Sequence, residues 1–154
     1  TDLMLSFASS DFVPLREFAL WWRWSSEQHV VLPPDIVARI KALRPERAAS
    51  FGPRAAFLCD ERRDGLISIP ASTDQVDATR SALLALEIPT RERILISWHD
   101  QTAVLTEWEV FVYYWDDFCY PASDDVTILP LHEGWTLCYD HHERFRFGRH
   151  SRAV

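Results

Sequence analysis

Apolar positions recur along this chain at two spacings, every three to four residues in some stretches and every second residue in others, which predicts helices interleaved with strands. Phe18, Trp21 and Trp22 stand at i, i+3 and i+4 and predict one face of a short helix. Trp24 falls off that face, toward an extended segment at Val30-Val31-Leu32. Pro33-Pro34 followed by Asp35 is a helix-start pattern, because proline suits the first turn and a carboxylate there complements the positive end of the dipole. The stripe Ile36, Val37, Ile40 and Leu43 predicts a helix from Pro34 to Leu43. Pro45 interrupts it, and Glu46 to Ser50 reads as a second short helix ahead of the Gly52-Pro53 break.

Arg54 to Ile69 has no firm period, although Glu61 to Gly65 is polar turn material. Ser72 with Gln75 three residues on is a capping-box pattern, and Val76, Thr79, Leu83 and Leu86 continue it as a helix ending at Ile88-Pro89. Arg93 to Trp98 and Thr102 to Leu105 are β-rich segments joined by His99-Asp100-Gln101, which predicts a hairpin. Thr106 and Glu109 form another capping box. The helix they open carries Trp108, Phe111, Tyr114, Trp115 and Phe118 on its core face, leaving Glu109, Tyr113, Asp116 and Asp117 wet. After the loop at Pro121 to Asp125, Val126 to Leu131, Trp135 to Tyr139 and Phe145 to Phe147 read as a terminal antiparallel meander, with Arg149 to Val154 a frayed tail. The expected architecture is α+β, an antiparallel sheet with three to five helices packed on it, in one domain spanning residues 1–154.

Composition sharpens this picture in two ways. Aromatic residues reach 13%, so much of the core is built from large rings. Net charge is -7, and the charge is unevenly placed: no Lys or Arg lies between Arg93 and Arg144, a stretch that contains Asp116, Asp117, Asp124, Asp125 and all four Tyr. Such a balance argues against nonspecific binding to nucleic acid or anionic membrane, both of which depend on clustered cations. No apolar run approaches the roughly 20 residues that cross a bilayer. The first twenty residues lack a basic start and an apolar block, so the cytoplasm is the expected location. Cys59, Cys119 and Cys138 are odd in number and lack C-x-x-C spacing, which reads as buried thiols in a reducing compartment. Lys41 is the single lysine among sixteen Lys and Arg, a usage that looks like high-GC bacterial coding.

Several constellations bear on chemistry. His141-His142 between Asp140 and Glu143 is the obvious candidate for a metal, but adjacent residues on a strand face opposite ways, so a chelate requires a distant partner such as His132 or His99. A polar hairpin turn is the simpler reading. His99-Asp100 at a strand end has the form of a general base with an orienting carboxylate. No activated nucleophile accompanies it: each Cys has apolar neighbours, and no G-x-S-x-G elbow exists. With Gly only at positions 52, 65, 134 and 148, neither a P-loop nor a dinucleotide fingerprint can be built, and no cofactor is expected. The run Trp21-Trp22-Arg23-Trp24 reads as core before it reads as a base-stacking or sugar-binding platform.

The acidic block is the feature that packing explains least. Asp116 and Asp117 lie near the C-terminal end of the expected helix, where the dipole is already negative and each is disfavoured by a few tenths of a kcal/mol. If Tyr113, Asp116, Asp117, Tyr120, Asp124 and Asp125 share a surface, that surface suits a basic protein partner. A solvated acidic face that only aids solubility is the plainer alternative. Val13-Pro14-Leu15 with Glu17-Phe18, then Trp24, Leu32-Pro33 and Ile40 to Pro45, resemble the opening of an uncharacterised family of small bacterial cytoplasmic proteins, and the Thr106 to Phe118 segment is also similar. That resemblance implies a bacterial α+β domain and transfers no site. In size, acidity and aromatic content the chain further resembles immunity proteins that neutralise bacterial toxins. The expectation is therefore a noncatalytic protein-binding domain, of immunity type, facing a basic toxin. The competing expectation is a small hydrolase or metal-dependent enzyme using His99, Asp100 and the His141-His142 region, with His132 as a further ligand. Sequence leaves the oligomeric state open.

Overall fold

The computed structural model describes residues 5–53, 55, 59, 67–132 and 134–149. Eight strands, β1 (Phe12–Val13), β2 (Lys41–Leu43), β3 (Ile67–Pro70), β4 (Arg93–Ser97), β5 (Ala103–Glu107), β6 (Val126–Pro130), β7 (Trp135–Asp140) and β8 (Arg144–Arg149), form one sheet in the order β1-β2-β5-β4-β6-β7-β8-β3. Every neighbouring pair is antiparallel. Short helices α1 (Pro34–Val37), α2 (Pro45–Ala49), α3 (Val76–Leu84), α4 (Trp108–Tyr113) and α5 (Trp115–Phe118) connect them, with single 3-10 turns near the N-terminus.

Residues directly opposite in an antiparallel pair point to the same face. Val104, Ile96, Ile128, Leu137 and Phe147 thus form one row across the sheet. That face carries the main core, closed by Trp24, Leu83, Trp108, Phe111, Trp115 and Phe118. Leu105, Leu95 and Leu129 form a row on the opposite face, closed by Leu43, Ala48 and Phe51 with Leu5, Phe7 and Phe12 alongside. A sheet covered on both sides explains why β4 and β6 read as continuous apolar runs without alternation. Among the described residues no helix is long and apolar enough to cross a membrane.

The hairpin and the terminal meander form where the pattern predicts them. His99 (φ 67°) and Asp100 (φ 48°) both adopt left-handed backbone, the paired positive φ that tight hairpins use because it matches strand twist. Gly52 packs against that turn so closely that an added Cβ would lie 3.3 Å from the Asp100 amide nitrogen. Arg149 belongs to β8 and donates to the Leu86 carbonyl at 2.7 Å, so it is no part of a frayed tail. Positions 150–154 and the expected turn at 61–65 lie outside the described residues.

Four expected helices change, the one at Phe18 to Trp22 giving way to 3-10 turns. The one starting at Pro34 ends at Val37, and Lys41–Leu43 is strand β2, because Ala42 and Leu43 are each buried on a different face of the sheet. The Ser72 hydroxyl does cap, accepting from the Asp74 amide, but a 3-10 turn intervenes and α3 stops at Leu84, ahead of Ile88-Pro89. Thr106 is no cap. It sits in β5 and donates to the Arg39 carbonyl at 2.9 Å, while the helix that follows breaks at Tyr114 into α4 and α5. Trp24, read as leaving the helical face, is only 1% exposed, and the 3-10 turn Trp21–Arg23 leaves Trp22 46% exposed instead.

The cysteine reading is also overturned. Cys59 and Cys138 are joined in a disulfide with their Cα atoms 5.7 Å apart, and only Cys119 is a free, buried thiol. The reducing-compartment argument built on three thiols loses its support.

Candidate functional site

The break at Tyr114 decides where the acidic block ends up. Asp116 and Asp117 occupy the first turn of α5 rather than the last turn of a longer helix, so the unfavourable dipole expected for them does not arise. Two indoles secure the far end of α5. Trp24 Nε1 donates to the Asp117 carbonyl at 2.9 Å, and Trp98 Nε1 donates to the Phe118 carbonyl at 3.0 Å, satisfying groups that a helix end leaves without intrahelical partners. Asp116 and Asp117 are half-buried, while Tyr113 is 62% exposed.

Asp124 is not a surface acid. Arg23 grips it bidentately, Nη1 to Oδ2 at 2.6 Å and Nη2 to Oδ1 at 2.9 Å, and both side chains are buried. The Tyr120 amide and the Ser123 hydroxyl also donate to it, at 2.9 and 3.0 Å. Burial works to raise the Asp124 carboxyl, but the Arg23 hydrogen bonds, the Tyr120 amide and the guanidinium charge outweigh it and hold it below the usual range. The Arg23 guanidinium carbon lies 4.0 Å from the Tyr120 ring centroid, and Trp22 and His29 flank that ring at 6.1 and 6.4 Å. A buried cation is thus capped by a partly exposed aromatic cluster.

Other acids of the block are also paired. Glu107 and Glu109 meet Arg39 and Arg91, and Asp140 meets Arg144 and Arg146. Asp125 lies 3.1 Å from His141 Nδ1, at the β7–β8 turn. Among the described residues Asp35, Asp116 and Asp117 form no ion pair, although Arg80, paired with Asp77 and lying over the Tyr113 ring, acts on Asp117. Tyr114 is pushed up by burial first, then by Tyr113, Asp35 and Asp117. Tyr120 is pushed up by burial, with Arg23 opposing and Asp117, Asp124 and Asp116 adding to it. Asp35 and Asp117 thus act on Tyr114, and Asp116 and Asp117 on Tyr120, with Arg80 and Arg23 the cations that oppose them.

Asp117 has the most displaced acid there. Burial first, then the Asp116 charge, raise its carboxyl from the ordinary 3.8 to about 6, with Arg80 opposing. The native state therefore keeps a proton that the unfolded chain has already released between those two values, and this group's contribution to stability falls as pH rises through that window. Asp124, whose carboxyl is depressed, acts in the opposite sense: its contribution is lost as pH falls below the ordinary carboxylate range. Asp117→Asn is expected to flatten the decline between about pH 4 and 6 and to raise the melting temperature at pH 7. Thermal melts of both proteins across that range test it, and parallel profiles would refute it.

The histidines do not converge. His99 Nε2 lies 2.9 Å from Thr127 Oγ1, on the face of the sheet that carries the disulfide. His141 is held by Asp125, and His142 stands beside it with ring centroids 4.3 Å apart. His132 follows β6 at its other end, beyond Pro130, whereas Thr127 lies near its start. Asp100 is exposed and forms the tip of the hairpin turn. Among the described residues no group of three His, Cys, Asp or Glu side chains is placed to hold a metal ion. The arrangement expected of His99 and Asp100 with the His132, His141 and His142 set is therefore not assembled.

Trp22, Arg23, His29 and Asp35 were not among the residues picked out from sequence for this surface. One signal was available: an arginine inside Trp21-Trp22-Arg23-Trp24 is surrounded by large rings, and a guanidinium buried with them demands a carboxylate partner. Compared with family models, curated proteins and solved structures, the chain matches none of them, so its reading rests on its own residues.

Proposed function

We propose that this chain is a noncatalytic protein-binding domain that docks a basic protein on the face running from Asp35 past Asp116 and Asp117 to Tyr120. The observation that carries the reading is that Asp35 and Asp117 lie close enough to act on Tyr114, and Asp116 and Asp117 on Tyr120. Partly exposed rings supply contact area at low conformational cost, and unpaired carboxylates beside them attract and orient a cationic surface. Exposed Trp22 and His29 extend the aromatic area. Asp124 serves this surface from beneath, by fixing the Tyr120 loop, and Asp125, just ahead of β6, is engaged by His141 of the β7–β8 turn. The specific form we favour is an immunity-type inhibitor occluding a basic toxin.

Such docking predicts an association that weakens steeply with salt. Reversing Asp35 and Asp116 to Lys together is expected to slow association at least about tenfold, because the loss falls on electrostatic steering, while leaving the melting temperature near its starting value. Stopped-flow binding to the cationic partner at two ionic strengths provides the measurement. A partner whose on-rate ignored both salt and the double reversal would remove this reading.

A further inference from the structure

A groove of about 1020 Å³ opens on the second face of the sheet, where the N-terminal segment crosses the ends of β2 and β4. Its size is at the upper end of the roughly 300–1,000 Å³ typical of small-molecule sites. Leu5, Phe7, Phe12 and Leu131 make an apolar floor, and the Leu5 amide donates to the Leu131 carbonyl at 2.9 Å, which ties the N-terminal wall to the sheet. The rim is cationic in a protein whose net charge is -7. Lys41, Arg91, Arg93 and His132 all line the groove, with Glu92 the single acid among its lining residues.

Two of those cations have no carboxylate of their own among the described residues. Arg93 stands opposite Glu107 in the β4–β5 register, the place where a cross-strand ion pair would form. Glu107 is already taken, by Arg39 at 2.7 Å and by Arg91 at 2.6 Å. Lys41 lies two strands away on the same face and two residues along, about 12 Å in all, with its ammonium 5.8 Å from the Phe12 ring centroid. Both side chains are exposed and long enough to reach one ligand head group.

We propose that this groove binds a small amphiphilic carboxylate, its acyl chain on the Phe7, Phe12 and Leu131 floor and its head group between Lys41 and Arg93. The site lies apart from the acidic docking face, has the opposite charge, and does not depend on that reading. An apolar floor without the cations would favour a neutral lipid. The cations without the floor would favour inorganic anions. Their combination selects a ligand with both parts.

The test is a titration of the isotope-labelled protein with dodecanoate below its micellar concentration, followed by amide chemical shifts. Shifts confined to Phe7, Phe12, Arg93, Leu131 and His132 are expected, with affinity reduced at least about tenfold in the Lys41→Gln, Arg93→Gln double variant, whose exposed positions leave the remaining spectrum unchanged. Dodecanol and dodecyltrimethylammonium are expected to bind at least about tenfold more weakly than dodecanoate. Groove amides that do not respond to dodecanoate would overturn the proposal. So would equal binding of the neutral or cationic amphiphile, undiminished affinity in the double variant, or a response to polyglutamate in place of dodecanoate.

Discussion

Replacing Asp124 with Ala is expected to destabilise the protein by about 3–5 kcal/mol, enough to unfold most small domains at moderate temperature. The reason is what remains behind. Arg23 is 4% exposed, and without its carboxylate it becomes an uncompensated charge beneath the Tyr120 ring, its Nε already lacking a partner. The Tyr120 amide and Ser123 hydroxyl lose their acceptor in the same step. Removing both charges together, as Arg23→Met with Asp124→Leu, is expected to recover most of the loss, since a well-packed apolar pair often equals a buried ion pair. Urea denaturation of the single and double variants measures both numbers. An Asp124→Ala cost below about 1 kcal/mol would mean that water reaches the pair and that it is not the anchor described above. The result also governs the docking experiment: reversing Asp124 would collapse the loop that carries Tyr120, so any loss of binding would report unfolding, and the charge reversals must be confined to Asp35 and Asp116, neither of which is fully buried.

Reducing the Cys59–Cys138 bond is expected to lower stability by about 4 kcal/mol, because the cross-link joins positions 79 residues apart and its loss restores that loop's freedom to the unfolded chain. Thiol titration provides an independent check. Denatured without reductant, the protein is expected to show one reactive thiol, that of Cys119; native, none, because Cys119 is fully buried and its thiol is pushed up by burial first and then by the charge of Asp124. A count of three in the unreduced denatured protein, or an unchanged urea midpoint on reduction, would contradict the bond.

The hairpin β4–β5 and the meander β6–β7–β8 were readable along the chain because each strand is bounded by turn chemistry a few residues away, and their registers follow from short connections. The core stripe Trp108, Phe111, Trp115 and Phe118 was readable for a similar reason, since every position three or four along repeats the same environment. Strand β2 was not. Its two buried residues, Ala42 and Leu43, lie on opposite faces and carry no alternation, and Ile40 with Leu43 fits a helical spacing equally well. Nor was the break at Tyr114, where a continuous apolar pattern runs over two separate helices and moves Asp116 and Asp117 from a helix end to a helix start.

Local pattern and composition therefore established the class of fold, most of the strands, the aromatic core and the concentration of acid in the second half. Which acids face water was settled only on folding. Asp124 is matched to an arginine 101 residues away and Cys59 to a cysteine 79 residues away, and Glu107 is claimed by Arg39 and Arg91 in preference to Arg93. A local pattern reports the neighbours that helix and strand periods bring together. Charges and thiols instead choose partners by distance in the folded chain, because desolvation makes an unmatched buried charge far more costly than any local preference can offset.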